Sequence, residues 1–235
     1  ERIGHDEMTM SDKAIREGLI YDFIERNREG LRAEQEIPNV RRRNMIYLAR
    51  RCHYPQSHSH HVATLATRLF DQTEPLHGLG EREREWLEYA AILHDVGYLI
   101  NARQHHKHAY YLIKNSDLYG LTADEIEMIA NIARYHRRAL PQDKHASLKA
   151  LPARNRRTLE VLSALLRIAD GLDRSHFSVI QSLDVKLGKP VTITLQTAGD
   201  PELEIWAARA RTDLFEKIFK RPVQFATKVP EGEHA

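Results

Sequence analysis

The segment Ala90-Ala91-Ile92-Leu93-His94-Asp95-Val96-Gly97 decides how this chain is read. An apolar helical run delivers a histidine and an aspartate to a helix end just ahead of a glycine. A His-Asp dipeptide alone means little, and His5-Asp6 repeats it in a polar terminus. Context separates the two, because a carboxylate in apolar surroundings is costly unless it is paired or coordinated, so Asp95 calls for a cation. The plain alternative is a helix end that hydrogen-bonds locally.

Four further groups bear on that choice. His58 opens a helix, four residues before Val62. His136 extends the stripe Ile126, Ile129, Ala130, Ala133 by one step of three, and Asp170 lies four residues after Leu166 in a very apolar helix. His105, in the run His105-His106-Lys107-His108, precedes a helix start. Each alone has a bland explanation: a satisfied core histidine or a solvated turn. Together they are imidazoles and carboxylates at the ends or inner faces of separate helices. Helical bundles build metal sites in this way. The donor set is nitrogen and oxygen, which suits Mn, Mg, Fe, Co or Ni better than a structural zinc.

The rest of the 235 residues frames this cluster. Of 14 histidines, 11 lie between His53 and His145. With 42% hydrophobic residues the chain can bury a core, and 11 Gly and 9 Pro exclude collagen-like and low-complexity classes. One cysteine, Cys52, excludes a disulfide scaffold and fits a reducing cytoplasm. No apolar run approaches the roughly 20 residues that span a bilayer, so no membrane partner is expected. Lys+Arg 35 against Asp+Glu 33 leaves +2. The short clusters Arg41-Arg42-Arg43 and Arg154 to Arg157 therefore do not make a nucleic-acid binder.

Periodicity predicts a mainly α chain. Helices are expected over Ser11–Gly30, up to Arg51, over His58–Phe70, Glu81–Val96 (closed by Gly97), Lys107–Lys114, from the Thr122/Glu125 capping box to about Arg138, and over Asn155–Leu172. Glu34–Arg43 reads as a connection and Thr73–Gly80, with Pro75, as a loop. Period-two alternation in Leu183–Leu187 and Val191–Leu195 gives two strands. A helix over Glu202–Lys220 and a strand over Val223–Ala226 complete a small C-terminal β-β-α-β appendage. The expected division is residues 1–38, an N-terminal helix and linker; 39–184, the helical domain; and 185–235, the appendage.

His58-x-x-x-Val62, His94-Asp95 and the late Asp170 resemble the HD superfamily of metal-dependent phosphohydrolases. The stretches His105–Ile113, Ala133–Pro141, Arg16–Asp22, Leu166–Arg174 and Ala207–Phe219 resemble the C-terminal HD region of the exopolyphosphatase / guanosine pentaphosphate phosphatase family. The likeness covers nearly the whole chain. In that family Arg16–Asp22 would end a preceding actin-like phosphatase domain, whose phosphate-binding loops and catalytic carboxylate are absent from this chain.

The resemblance implies an HD helical bundle that holds one or two divalent metal ions through His58, His94, Asp95, His105, His136 and Asp170. His94 and Asp95 would be closest to the chemistry, and Asp95 would bridge two metals. His106 and His108 rival His105, and His60 and His61 compete less well with His58. Lys107 and Arg137 flank proposed ligands and are the expected phosphate contacts; Arg103, Arg134, Arg138 and Arg174 are further basic neighbours. Glu127 and Asp173 are acidic neighbours that could support the ligands from behind, with exposure on helix faces the favoured expectation. The expected reaction is metal-assisted hydrolysis of a phosphate ester or anhydride in a nucleotide, guanosine penta- or tetraphosphate, or polyphosphate. The alternative is a non-catalytic module that binds polyanion or mediates dimerisation of a larger exopolyphosphatase. A cytoplasmic location, a phosphorylated small molecule or polyphosphate as ligand and a homodimer are the remaining expectations.

Overall fold

The computed structural model describes residues 39–228 except 143, 150, 153 and 154, together with 18–20 and 22. Most of the expected helix over Ser11–Gly30 lies outside the described residues; 18–20 and 22 are helical. The chain is mainly helical, with α1 (Val40–Arg51), α2 (Gln56–His77), α3 (Glu81–Leu93), a 3-10 turn (Val96–Leu99), α4 (His105–Lys114), α5 (Ala123–Arg134), α6 (Ala146–Lys149) and α7 (Arg156–Gly171). A three-stranded sheet follows, built from β1 (Ile180–Lys186), β2 (Val191–Thr197) and β3 (Val223–Thr227), with α8 (Glu202–Arg209) and α9 (Asp213–Phe219) between the last two. β2 lies between β1, antiparallel to it, and β3, parallel to it.

α2, α3, α5 and α7 wrap a core whose stripes are those the periodicity picks out: Val62, Leu65, Ala66 and Leu69 on α2, and Leu159, Leu162, Leu165 and Leu166 on α7, all under 2% exposed. The capping box at Thr122 is present, with its hydroxyl accepting from Glu125 N and the Glu125 carboxylate accepting from Thr122 N.

Several boundaries differ from expectation, each for a physical reason. α1 begins at Val40, inside the expected connection, because Asn39 caps it by accepting from the amides of Arg41 and Arg42. α2 runs through Pro75 to His77. Its last turn is held by a bond between His77 Nε2 and Phe70 O (3.1 Å), by the tilted contact of the two rings and by Gly78 in the left-handed region. α3 stops at Leu93 and α5 at Arg134, short of Val96 and Arg138, because histidine side chains take carbonyls at both helix ends. The expected helix Glu202–Lys220 breaks into α8 and α9 around Ala210–Thr212, where Thr212 Oγ1 turns back to Arg209 O (3.1 Å). The appendage is therefore β-β-α-α-β.

Two glycines allow close approaches between neighbouring elements. Gly97 lies within the 3-10 turn instead of terminating α3. A Cβ there would overlap the His105 carbonyl and come within 2.5 Å of Ala109 N, so glycine lets α4 seat against the turn. At Gly171 a Cβ would lie 2.7 Å from Ala208 Cα and 2.9 Å from Ala208 N, so α7 and α8 touch backbone to backbone. Gly171→Ala must push α8 away and is expected to lower stability by about 1–3 kcal/mol, the range for overpacking. Urea denaturation checks this, and an unchanged midpoint would show that the contact is looser than described.

Candidate metal centre

The ends of five helices converge. His58 projects from the first turn of α2, and His94 and Asp95 follow α3 directly. His105 begins α4, His136 follows α5, and Asp170 sits in the last turn of α7. All six are buried, none more than 9% exposed. Asp95 divides its oxygens between two groups. Oδ2 lies 3.7 Å from His58 Nε2 and 3.4 Å from His94 Nε2. Oδ1 lies 3.1 Å from His105 Nε2 and 3.8 Å from His136 Nε2. Asp170 Oδ1 joins the first group at 3.7 Å from His58 Nε2 and 3.8 Å from His94 Nε2.

One device orients three of the histidines. His94 Nδ1 bonds Ala91 O (2.6 Å), His105 Nδ1 bonds Ala102 O (3.1 Å) and His136 Nδ1 bonds Ala133 O (2.7 Å), in each case the carbonyl three residues earlier. His58 Nδ1 bonds instead to Asp173 Oδ2 (2.8 Å). A carbonyl or carboxylate requires Nδ1 to be the donor, so a neutral ring turns the lone pair of Nε2 inward. The Nε2 atoms of His58 and His94 have no hydrogen-bond partner, and those of His105 and His136 face each other at 3.3 Å. Buried polar atoms are rarely left so. A proton or a cation belongs among them. Among the described residues two groups could hold a metal ion, His58–His94–Asp95 and Asp95–His105–His136, with the candidate ligand atoms of each within 4.8 Å of one another. The donor set of imidazole and carboxylate suits such an ion.

Electrostatics agree. Burial raises the cost of charging Asp95, but the imidazoles of His94, His105 and His136 outweigh it and hold the carboxyl well below its usual range. Asp170 is likewise buried and is held far below by Arg211, which reaches its Oδ2 from the break between α8 and α9, with His58 assisting. Burial pushes His136 down to about 3, leaving it neutral. Burial also opposes charge on His58, yet the nearby Asp170 carboxylate, the bond to Asp173 and the charge of Asp95 win and raise it to about 9.

The expected ligands His58, His94, Asp95, His105, His136 and Asp170 are thus brought together. The rivals are not. His106 is buried beside them, pushed to about 4 by burial and the neighbouring His105, with its ring centroid 6.4 Å from that of His136. His108 lies half-buried farther along α4. His60 binds the Tyr54 hydroxyl (2.8 Å), and His61 lies against Ile180. Arg137 is half-buried with Nη1 3.5 Å from His105 Nε2, whereas Lys107 is exposed on the first turn of α4.

Sequence reasoning misplaced Asp173, which is fully buried as the partner of His58, and Glu127, which is buried in a separate network with Tyr110, Asn131 and Lys114. It missed two groups entirely. Arg211 carries no local signal for its role. His176, with a left-handed backbone (φ 64°), stacks on His58 with ring centroids 3.7 Å apart. It lies in the turn beyond α7, outside any helical period, so no pattern exposes it.

Fold and site define a helical domain around a buried histidine–aspartate cluster able to hold divalent cations. The family model Ppx/GppA phosphatase, domain III, matches residues 40–198, more than half of the chain. The chain belongs to the Ppx/GppA phosphatase family. Among the described residues no helix is long and apolar enough to cross a membrane.

Two outcomes follow if the cluster holds a metal ion. Asp173→Asn removes the carboxylate that orients His58 and is expected to weaken Mn²⁺ binding about 10–100-fold by calorimetry, the usual effect of losing such a partner; unchanged affinity would contradict this role. His58 holds its proton up to about 9, above its ordinary 6.5, so a cation taken up by His58 at pH 7 would have to displace that proton. Affinity should therefore rise with pH toward 9. Calorimetry in buffers of different ionisation enthalpy should detect proton release, and none at pH 7 would contradict this.

Proposed function

We propose that this domain is a metal-dependent phosphohydrolase of the HD type, cleaving a phosphate ester or anhydride of a nucleotide, a guanosine penta- or tetraphosphate, or polyphosphate. Membership of a phosphatase family supports a phosphorylated substrate. The observation that carries the catalytic reading is the division of Asp95, one oxygen toward His58 and His94 and the other toward His105 and His136.

His58, His94, Asp95 and Asp170 would hold one divalent ion, and Asp95, His105 and His136 a second. Such ions, when bound, lower the pKa of water toward neutrality and offset charge on phosphoryl oxygens. The chain's own residues do the rest. Asp95 and His94 fix the position of the reacting centre. Asp173 keeps the His58 ring in one tautomer, and the carbonyls of Ala91, Ala102 and Ala133 do the same for the other three rings. Arg137, next to His105, offers a planar fork that can pair two phosphate oxygens. Lys107, on the exposed side of α4, would contribute charge at longer range.

A non-catalytic role in polyanion binding or dimerisation would not require four imidazoles with oriented, inward-facing nitrogens. Such orientation is what catalytic metal sites need. Metal analysis of protein purified without added metal, alongside Asp95→Ala, tests the reading. The wild type is expected to carry metal and the variant to lose both equivalents, together with phosphate release from nucleotide and polyphosphate panels supplied with Mn, Mg, Co or Ni. Equal, negligible metal in both proteins would overturn it.

A further inference from the structure

One side chain reaches the histidine–aspartate cluster from the C-terminal unit. At Gly171 the backbones of α7 and α8 meet so closely that a Cβ would lie 2.7 Å from Ala208 Cα. That contact sets the chain just beyond Ala208 against the residue just before Gly171, which is Asp170. Arg211 lies in the break between α8 and α9, with its amide on Ala208 O (2.9 Å), and its Nη1 donates to Asp170 Oδ2. A second ion pair crosses the same junction, from Arg167 Nη2 to Asp213 Oδ1 (3.3 Å). The C-terminal unit therefore grips α7 at both Arg167 and Asp170. The Arg211–Asp170 pair is largely out of water, its side chains 16% and 12% exposed, and a pair so placed is little screened by salt.

Asp170 thereby divides its oxygens. Oδ2 is committed to the guanidinium, whereas Oδ1 faces the imidazoles, 3.7 Å from His58 Nε2 and 3.8 Å from His94 Nε2. A free carboxylate can give a cation both oxygens, but one pinned by a charge-assisted hydrogen bond gives one. Asp95 is restricted likewise, because its other oxygen faces His105 and His136. The first group then presents two imidazole nitrogens and one oxygen from each carboxylate. Calcium takes about six to eight oxygen ligands and often uses carboxylates two oxygens at a time, whereas imidazole suits transition-metal ions.

We propose that Arg211 is a positioning residue that limits Asp170 to single-oxygen ligation, and that it thereby makes the first group select transition-metal ions against calcium. The C-terminal unit acts on the centre in this way although it supplies no ligand. This inference rests on the reading of the cluster as a metal centre. Removing the guanidinium frees Oδ2 and also removes a positive charge. The lost charge acts alike on all divalent ions, so the ratio of two affinities reports the freed oxygen alone. The second group, Asp95, His105 and His136, lacks Asp170 and serves as an internal reference.

Competition in the full chain tests it, with release of Mn²⁺ followed by electron paramagnetic resonance as Ca²⁺ is added. Wild type is expected to keep both Mn²⁺ equivalents against Ca²⁺. In Arg211→Gln and Arg211→Met, relative to each protein's own Mn²⁺ affinity, about tenfold less Ca²⁺ or lower should release one equivalent, with the other unchanged. Asp213→Asn breaks the companion ion pair but leaves Asp170 held, so it is expected to behave as wild type and controls for a loosened junction. Wild type that binds Ca²⁺ as tightly as Mn²⁺ would overturn the proposal, whether or not the Arg211 variants fold. So would an unchanged ratio in the Arg211 variants, an equal shift at both equivalents, or the same shift in Asp213→Asn. Wild type that takes up no Mn²⁺ refutes the metal centre itself instead.

Discussion

Asp95 carries a buried negative charge between two groups of imidazoles, and removing an unpaired carboxylate from water costs several kcal/mol. Nearly everything around the centre follows from offsetting that cost. The two oxygens face opposite groups, His58 and His94 on one side and His105 and His136 on the other. Asp170 adds a second buried carboxylate, and Arg211 from the C-terminal unit answers it. Without a cation among the rings, two inward-facing nitrogens, those of His58 and His94, are left without partners.

The same chemistry shapes the helices. His94, His105 and His136 each spend Nδ1 on the carbonyl three residues earlier; for His94 and His136 that carbonyl is one the helix would otherwise offer to its own backbone or to water. At α3 and α5 this ends the helix and aims the ring in one step. Helix termination and ring orientation are therefore one event at these positions. The close approach at Gly97 completes it by seating the start of α4, and so His105, against the turn that follows Asp95.

The apolar stripes of α2, α5 and α7 and the cluster positions His58, His94, Asp95, His136 and Asp170 were legible because each lies on, or one step beyond, a helical period. His105 was legible only as one of three neighbouring histidines, and packing against the 3-10 turn selects it over His106 and His108. Helix ends were less legible: the Val96 and Arg138 boundaries failed because periodicity does not register a side chain competing for a carbonyl. Asp173 was misread because a carboxylate three residues after Asp170 looks solvent-facing until the chain turns it beneath His58. Arg211 was invisible, since its role arises from contact between segments 41 residues apart.

Anomalous scattering from a crystal grown with Mn²⁺ tests the central claim most directly. The account predicts one peak among His58, His94, Asp95 and Asp170 and a second among Asp95, His105 and His136, on opposite sides of the Asp95 carboxylate. Density with no anomalous peak within coordination distance of Asp95 would contradict it.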